Sequence, residues 1–546
     1  MSEAMFDVPF PENEPILGYL EGSPEKKELK AALKKMASQK IDIPMVIGGQ
    51  EVRTGNLADC VMPHHHSHKL GQYHKGGEKE VKLAIKAAQK AKKGWAATPF
   101  QHRAAILLKA AELLAGRYRQ VLNAATMLGQ SKNALQAEID SACELIDFWR
   151  FNPHFGVQIL SEQPDSAPGM WNMLEHRPLD GFVFAVSPFN FTSIAGNLTT
   201  APALMGNTVV WKPASSSVFS GHYIMEILKE AGLPDGVINF VPGSGGQIGN
   251  PVMASGDLAG IHFTGSTAVF QGMWKQIGNN IHNYGCYPRI VGETGGKDFV
   301  FAHPSSDVDP LVTALVRGSF EYQGQKCSAA SRAYIPENLW KEVKKKLLAE
   351  IATIAMGDVT DFRTFMGAVI DQGAFDSIQG YITRARSKAA KGRARIIAGG
   401  KCDDSEGFFI EPTVILADDP MYETMVEEIF GPVLTIHVYK EKDLLKTLRL
   451  CDKSSAYALT GAIFGRDREA LIHMKAELEG TAGNFYINDK PTGAVVGQQP
   501  FGGSRASGTN DKAGSYLNLI RWVSPRTVKE TFDPPRKYPY PYMSAR

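Results

Sequence analysis

From residue 178 to residue 292, short and continuously apolar runs alternate with longer segments of helical pattern. Runs such as FVFAV (182–186) and GIHF (260–263) lack the polar–apolar alternation of a half-exposed strand, which predicts strands buried on both faces. Such strands joined by helices form a parallel sheet covered on both sides, with ligands at the carboxyl ends of its strands. The predicted strands are 182–186, 208–211, 238–241, 260–263 and 289–291, and the predicted helices between them are 218–231, 247–254 and 268–279.

A second alternating block, from residue 307 to about residue 486, predicts a second α/β domain. The first 155 residues are expected to be mostly helical, because helix formers with apolar residues at helical spacing recur there. Two further segments are too short for domains and are expected to pack against another subunit. The N-terminal arm is expected at residues 1–45, and the two packing segments are residues 160–179 and 505–546. The other predicted elements are helices at 25–36, 78–94, 103–114, 134–151, 311–320 and 339–354 and a strand at 459–464.

The balance of 59 Lys and Arg residues against 57 Asp and Glu residues argues against a dedicated nucleic-acid-binding protein. One basic run, from Arg384 to Arg395, is interpreted as a solvated helix face or turn. No apolar stretch reaches 18 residues, so no membrane span is expected. The first fifteen residues are acidic and Pro-rich, unlike a secretory signal or a transit peptide. The six cysteines form no CxxC pair, which favours reduced thiols in a reducing compartment.

Two glycine-containing turns follow predicted strands. VPGSGG (241–246) continues to Gly249 and gives a GxGxxxG spacing at a point where a strand passes into a helix, a context that suits a pyrophosphate. This spacing differs from GxGxxG, and a plain turn explains it equally well. FTGS (263–266) is a second strand-to-helix turn, so the two turns could flank one dinucleotide.

Cys327, in GQKCSAASR (324–332), is the sharpest chemical signal. Its place among small residues and directly after Lys326 predicts a thiol with a lowered pKa that acts as a nucleophile. The alternative is a buried structural cysteine. That alternative is preferred for Cys143, Cys286, Cys402 and Cys451.

A nucleophile needs an oxyanion donor and a base, and two strand ends supply such residues. Asn190 follows the strand 182–186 in PFNF, and Glu293 follows the strand 289–291 in GETGGK. Either residue alone is interpreted as a turn or cap residue, whereas together with Cys327 they predict one reactive site. The histidines of HHHSH (64–68) have no Cys or acid at ligand spacing, so no metal site is predicted.

These motifs occur in the order and spacing of the aldehyde dehydrogenase superfamily, which the chain resembles over nearly its whole length. The resemblance is carried by PFNF (188–191), WKPA (211–214), FTGS (263–266), ETGGK (293–297), GQKC (324–327), EEIFGP (427–432) and PFGG (500–503). It implies an α/β fold with a Rossmann-type NAD-binding domain (46–159 and 180–292), an α/β catalytic domain (293–504) and a small oligomerisation flap and tail. The chain is most similar to the branch that oxidises L-glutamate γ-semialdehyde, through residues 137–152, 320–329 and 484–512 and the arm.

By this resemblance, Cys327 is the nucleophile, Asn190 and the Cys327 backbone N–H hold the oxyanion, and Glu293 activates the hydrolytic water. The cofactor is expected to be NAD. Ser215 stands where an acidic residue often excludes a 2′-phosphate, so NADP remains the less favoured alternative. The implied cofactor-binding residues are Lys212, Ser215, Gly245, Gly265, Ser266, Glu428 and Phe430.

The resemblance also implies an anchor for the substrate α-carboxylate, although by composition alone PTGA (491–494) is only a turn. The expected reaction is oxidation of the semialdehyde to L-glutamate, a step of proline catabolism. A broader aldehyde dehydrogenase and a catalytically silent NAD-binding scaffold are the alternatives, and a cysteine hydrolase is disfavoured because no His accompanies GQKC. A homodimer or larger homo-oligomer is expected, in the mitochondrial matrix or otherwise in the cytoplasm. The implied substrate-binding residues are Phe191, Ser328, Gly493, Ala494 and Phe501.

Overall fold

The computed structural model describes residues 6–543 and contains two seven-stranded sheets, each covered by helices on both faces. In the first sheet the five predicted strands are present and parallel, and a two-stranded antiparallel extension lies at one edge. Phe182–Val186 and Leu258–Thr264 are neighbours although two strands separate them in the chain, so the strand order reverses between them. The spatial order is Arg289–Glu293, Leu258–Thr264, Phe182–Val186, Val209–Lys212, Ile238–Phe240, Met45–Ile47 and Gln50–Val52.

The strands of the first sheet are apolar on both faces because each face packs against helices. Phe184 and Val210 pack with Ile248 and Phe270 in one core, whereas Val183 packs in a second core on the other face. Each fully buried side chain of this size stabilises the fold by about 1.5–3 kcal/mol. The helices around this sheet are Glu78–Ala97, Phe100–Ala115, Arg119–Gln130, Thr192–Leu204, Val218–Ala231, Gly245–Met253 and Thr267–Asn279.

The second sheet confirms the second α/β block. Its strands are parallel except for the edge strand Ala394–Ala398, which is antiparallel to its neighbour. Helices again cover both faces, with separate apolar cores on the two sides. In spatial order the strands are Ala394–Ala398, Thr413–Ala417, Val433–Tyr439, Ala330–Pro336, Asp298–Ala302, Thr460–Phe464 and Asn484–Ile487, and the helices are Val308–Phe320, Glu337–Ile351, Gln372–Arg386, Leu444–Lys453 and Arg468–Glu477.

The prediction that the first 155 residues are mostly helical misses two features. Residues 41–74 contain five short strands, three of which form a small separate sheet (Ile41–Ile43, His65–His74 and Leu57–Met62). Their runs are short and mix polar with apolar residues, so no strand period is visible. The helix Arg119–Gln130 was also not predicted, and it is buried along nearly its whole length.

The segment predicted as one helix at 134–151 is divided into three parts. A short helix, Ala134–Ala137, leads into a π-helical turn at Glu138–Cys143, and the helix Glu144–Ser161 follows. A π-helical turn carries an extra residue and frequently marks a functional site.

The two segments predicted to pack on another subunit pair with each other. Met170–Pro178 and Val523–Thr531 form an antiparallel ribbon of two strands. Trp171 and Phe532 on this ribbon are more than half exposed. The arm contains the helix Pro24–Ala37, which packs on Arg119–Gln130.

The remaining elements are short. They are the strands Cys402–Asp403, Phe409–Ile410, Tyr457–Ala458 and Ser504–Arg505, the α-helices Glu423–Val426 and Tyr516–Leu519, and the 3₁₀ turns Ser215–Ser217, Ile281–Asn283, Glu321–Gly324, Lys388–Ala390, Glu441–Asp443, Glu479–Thr481, Ile520–Trp522 and Pro541–Met543.

Candidate active site

A cavity of about 680 Å³, here called the cofactor cavity, lies at the carboxyl ends of the first sheet's strands. It opens where the strand order reverses, which is where open α/β sheets bind ligands. All but one of the predicted cofactor residues line it, namely Lys212, Gly245, Gly265, Ser266, Glu428 and Phe430. The exception is Ser215, which is exposed on a 3₁₀ turn beside the phenol of Tyr73 and does not line the cavity.

The helix Gly245–Met253 begins at this cavity with bare backbone. Gly245 and Gly246 line the cavity, and a Cβ on Gly245 would meet no atom within 4 Å. Ser244 does not cap the helix through its side chain, so the first N–H groups are free to bind an anion such as a pyrophosphate. A dinucleotide fits this donor set and this volume, with the Lys212 side chain in the same wall.

Glu428 and Phe430 form the part of the cofactor cavity that lies against Gly295. The Oε1 atom of Glu428 accepts a hydrogen bond from the Gly296 N–H at 2.8 Å. A Cβ on Gly295 would lie 2.2 Å from Glu428 Oε2, so a side chain there would displace the Glu428 carboxylate. Burial raises the pKa of Glu428 to about 7. Phe430 has a φ of 57° and meets Phe189 edge to face at 5.9 Å.

Cys327 lies in the turn between the 3₁₀ segment Glu321–Gly324 and the strand Ala330–Pro336. The backbone before it is strained, since Tyr322 and Gln323 have φ angles of 51° and 55°. Its Sγ lies 3.3 Å from Glu293 Oε1. Burial, followed by the Glu293 carboxylate, raises the pKa of the thiol well above its usual range.

The expectation of a lowered thiol pKa was therefore wrong. The Lys326 ammonium does not face the thiol; it lies 3.5 Å from Asp140 and 3.8 Å from Glu321. The turn that holds Cys327 is followed by a strand, so the thiol does not lie at the start of a helix of its own segment. A thiol of this kind needs a neighbouring base to become a nucleophile, and Glu293 is placed for that role.

Asn190 is buried beside Cys327 in the cofactor cavity. One N–H of its amide donates to the Gln325 carbonyl at 3.0 Å, which fixes the amide plane and leaves the second N–H for a ligand. The backbone N–H of Cys327 has no partner within residues 6–543. These two donors can together stabilise an oxyanion on a carbon attached to the sulfur.

Glu293 ends the strand Arg289–Glu293, and burial raises its pKa to about 7. The hydrogen bond from the Cys327 thiol and the charge of Lys512 oppose this rise. A carboxyl group that titrates near neutral pH is suited to general base catalysis.

A second cavity of about 250 Å³, here called the substrate cavity, reaches Cys327 from the other side. Cys327 is the only described residue that lines both cavities. The structure brings all the predicted substrate residues into this lining: Phe191, Ser328, Gly493, Ala494 and Phe501.

Gly493 and Ala494 belong to a loop, residues 492–498, here called the anchor loop. Gly493 has a φ of 98°, a left-handed conformation that glycine adopts without strain. Thr492, which the sequence did not single out, shares a hydrogen bond of 2.7 Å with the Ser328 hydroxyl. Hydroxyl and backbone N–H groups in such a loop are donors for an anion.

Sequence reasoning also missed the charged residues of the substrate cavity. Asp140 pairs with the buried ammonium of Lys132, which lies 4.4 Å from the centre of the Phe191 ring. Burial, followed by the charge of Asp140, raises the pKa of Glu144 to about 8. Asp140 lies in the π-helical turn, and Glu144 is the first residue after that turn. The sequence pointed to these residues only through the resemblance of segment 137–152 to the semialdehyde branch of the family.

The histidines near residue 65 do not converge. The buried His64 ring lies 3.5 Å from Asp358, whereas the His66 and His68 rings contact the carbonyls of Asp404 and Ala37. Within residues 6–543, no three His, Cys, Asp or Glu side chains are grouped to hold a metal ion. The same residues include no helix long and apolar enough to cross a membrane.

Comparison with known proteins adds to this geometry. Residues 52–528 match the model of the aldehyde dehydrogenase family. The chain is 52% identical to the mitochondrial Δ1-pyrroline-5-carboxylate dehydrogenase of Dictyostelium discoideum, over 99% of this chain and 97% of the relative. It is 47% identical to the mitochondrial enzyme of that name from Homo sapiens, over 97% and 94% of the two chains. The crystal structure of the Mycobacterium tuberculosis Δ-pyrroline-5-carboxylate dehydrogenase is 51% identical, covers 100% of both chains and superposes with a TM-score of 0.96. That protein has also been crystallised with NAD.

Proposed function

The chain belongs to the aldehyde dehydrogenase family, and we propose that it oxidises L-glutamate γ-semialdehyde, the hydrolysed form of Δ1-pyrroline-5-carboxylate, to L-glutamate with NAD. The observation that carries this proposal is the meeting of two cavities at the Cys327 sulfur. One cavity suits a dinucleotide, and the other is small and contains an anion anchor. The relatives that match over the whole chain carry the same activity in their names.

The first step is attack of the sulfur on the aldehyde carbon. Glu293 takes the thiol proton across 3.3 Å as the C–S bond forms, and the carbonyl electron pair moves to the oxygen. The Asn190 amide and the Cys327 backbone N–H stabilise the resulting oxyanion. Because the thiol pKa is raised, the sulfur stays protonated until this base acts on it.

When bound, NAD supplies the hydride acceptor, and the carbon on Cys327 is left as a thioester. Glu293 in its ionised form then removes a proton from a water molecule, whose oxygen attacks the thioester carbon. The C–S bond breaks, the carboxylate product leaves, and the sulfur recovers a proton. The raised pKa of Glu293 allows the carboxyl group to take up and release protons near neutral pH.

Substrate choice is assigned to the polar groups of the substrate cavity. The Ser328 hydroxyl and the N–H groups of Gly493 and Ala494 are proposed to bind the α-carboxylate. Phe191 and Phe501 line the same cavity and are proposed to contact the methylene groups. A plain aldehyde lacks the carboxylate and leaves this anchor without a partner.

The test is product analysis with purified protein, NAD and Δ1-pyrroline-5-carboxylate. We expect NADH and L-glutamate in equal amounts, measured by absorbance and by chromatography. A control reaction with the Cys327→Ser variant should form neither. NADH formation without glutamate, or no NADH at all, would overturn the proposal.

The assembly and the compartment are part of the proposal. The exposed aromatic residues on the Met170–Pro178 and Val523–Thr531 ribbon support a homodimer or larger homo-oligomer, which light scattering during gel filtration tests. The mitochondrial relatives support a matrix location. Recovery of the protein only in a cytosolic fraction would contradict that location.

A further inference from the structure

Residues 13–16 of the N-terminal arm lie against the substrate cavity, although most of the cavity lining comes from residues more than 120 positions later in the sequence. Asn13, Glu14 and Ile16 are part of the cavity lining. Ile16 is 55% exposed while it lines the cavity, so this part of the arm lies at the cavity mouth. The arm is therefore part of the wall that a substrate passes.

Asn13 connects the arm directly to the anchor loop. Its Nδ2 donates to the Val496 carbonyl at 2.9 Å and to Asp147 Oδ2 at 2.8 Å. From the other side, Gln498 Nε2 donates to Asn13 Oδ1 at 2.8 Å. All the polar atoms of the Asn13 side chain are thus used, and two of the three bonds go to the loop that carries Gly493 and Ala494.

The next residues hold the arm to the core of the first domain. The Glu14 carboxylate pairs with Arg119 and, at 2.6 Å, with Arg150. The Glu14 N–H donates to Asp147 Oδ1 at 2.7 Å, and the Tyr19 hydroxyl donates to Glu138 Oε2 at 2.7 Å. The bonds that Asn13 makes to the loop therefore start from a fixed point.

We propose that the arm is a latch for the anchor loop, and that Asn13 is a positioning residue that holds the loop in its carboxylate-binding conformation. The inference rests on the proposed function, because it concerns the part of the substrate that the anchor loop binds. A loop without this latch still leaves Cys327, Glu293 and Asn190 in place. Its loss should weaken binding of substrates with an α-carboxylate and leave the chemical steps on plain aldehydes unchanged.

The experiment compares Asn13→Ala and Gln498→Ala with the matched control Glu12→Ala in the full chain. Glu12 is an exposed arm residue that does not line the cavity. For each protein, KM and kcat are measured with Δ1-pyrroline-5-carboxylate and with propanal at saturating NAD. We expect the KM for Δ1-pyrroline-5-carboxylate to rise about fivefold to tenfold in both loop-contact variants, the change that follows from loss of one or two hydrogen bonds. In both variants, the kcat for Δ1-pyrroline-5-carboxylate and the KM and kcat for propanal should remain unchanged. Glu12→Ala should match the wild-type protein with both substrates.

Equal changes of KM on the two substrates, or a fall in kcat alone, would overturn the latch and indicate a general structural contact. Unchanged kinetics in both variants would also overturn it. Gln498 is exposed, so its variant keeps the test decisive if Asn13→Ala does not fold. The wild-type protein separates the two proposals: equal use of both substrates contradicts the proposed function, whereas a clear preference that neither variant alters contradicts the latch only.

Discussion

The two cavities that meet at Cys327 are built in different ways. The cofactor cavity has an apolar lining made by strand ends and glycine turns, and among its described lining residues only Lys212 and Glu428 are charged. The substrate cavity is less than half as large, yet its lining includes five ionisable side chains, those of Glu14, Asp140, Glu144, Asp147 and Lys326. In the proposed function, the first cavity holds NAD largely through backbone groups. The second holds a small carboxylate-bearing molecule at the anchor loop, which side chains from distant segments surround.

The sharpest test of this contrast changes Cys327, the one residue within 6–543 that lines both cavities. In Cys327→Ser, aldehyde oxidation should fall at least about a thousandfold, because the nucleophile is lost. NAD affinity, measured by calorimetry, should be unchanged because the helix terminus and Glu428 remain. Cys402→Ser serves as the control, since Cys402 lines neither cavity. Turnover near the wild-type rate, or a loss of NAD affinity as large as the loss of activity, would contradict this separation of catalysis at Cys327 from cofactor binding.

Glu293→Gln tests the base next to the sulfur. We expect kcat to fall by about 100-fold to 10,000-fold, the usual range for a lost general base. Because Glu293 also takes the thiol proton, formation of the acyl group on Cys327 should slow as well, visible as a slower gain of mass on the intact protein after mixing with substrate and NAD. Glu337→Gln, at an exposed position, is the control. Turnover near the wild-type rate would remove Glu293 from the mechanism.

The pH profile tests the same group without a mutation. The pKa of Glu293 is raised to about 7, and the hydrolytic step needs its ionised form, so kcat should increase with pH. Below pH 7 the increase should approach about tenfold per pH unit. Propanal is the substrate of choice, because ring opening of Δ1-pyrroline-5-carboxylate then does not contribute. A kcat that stays constant or falls between pH 6 and pH 8 would contradict this role.

Gly493→Ala changes the substrate cavity alone and should have the smallest effect. Gly493 has a φ of 98°, and a Cβ would lie 2.8 Å from Lys490 Nζ. A left-handed residue costs about 1–2 kcal/mol when it carries a side chain, so the KM for Δ1-pyrroline-5-carboxylate should rise about tenfold. The KM for NAD should not change, and Gly94→Ala, in open space on a helix, is the control. A larger change in the KM for NAD than in the KM for Δ1-pyrroline-5-carboxylate would contradict the assignment of Gly493 to the substrate cavity.

The same contrast explains how much the sequence could predict. The strands, the turns after them and the residues Asn190, Gly265 and Glu293 follow from local patterns, because parallel strands end at a common edge. The ionisable residues that line the substrate cavity could not be predicted in this way. Their placement depends on contacts such as that between Asn13 and Val496, which are 483 positions apart.

The error in the Cys327 pKa has a related cause. The neighbour in sequence is a lysine, but its ammonium is taken by Asp140 and Glu321, and the neighbour in space is a carboxylate. Burial, which decides the direction of the pKa shift, is a property of the whole fold. Local context alone therefore gave the wrong protonation state for the proposed nucleophile.

The central claim is that the substrate cavity selects an aldehyde that carries a carboxylate, whereas the cofactor cavity does not contribute to this selection. The direct measurement is the ratio of kcat/KM for Δ1-pyrroline-5-carboxylate to kcat/KM for pentanal, which has the same number of carbon atoms and no carboxylate. Two charge-assisted hydrogen bonds of about 1.5 kcal/mol each predict a ratio of at least about 100. A ratio near one would show that the anchor loop does not select the substrate and would contradict the account.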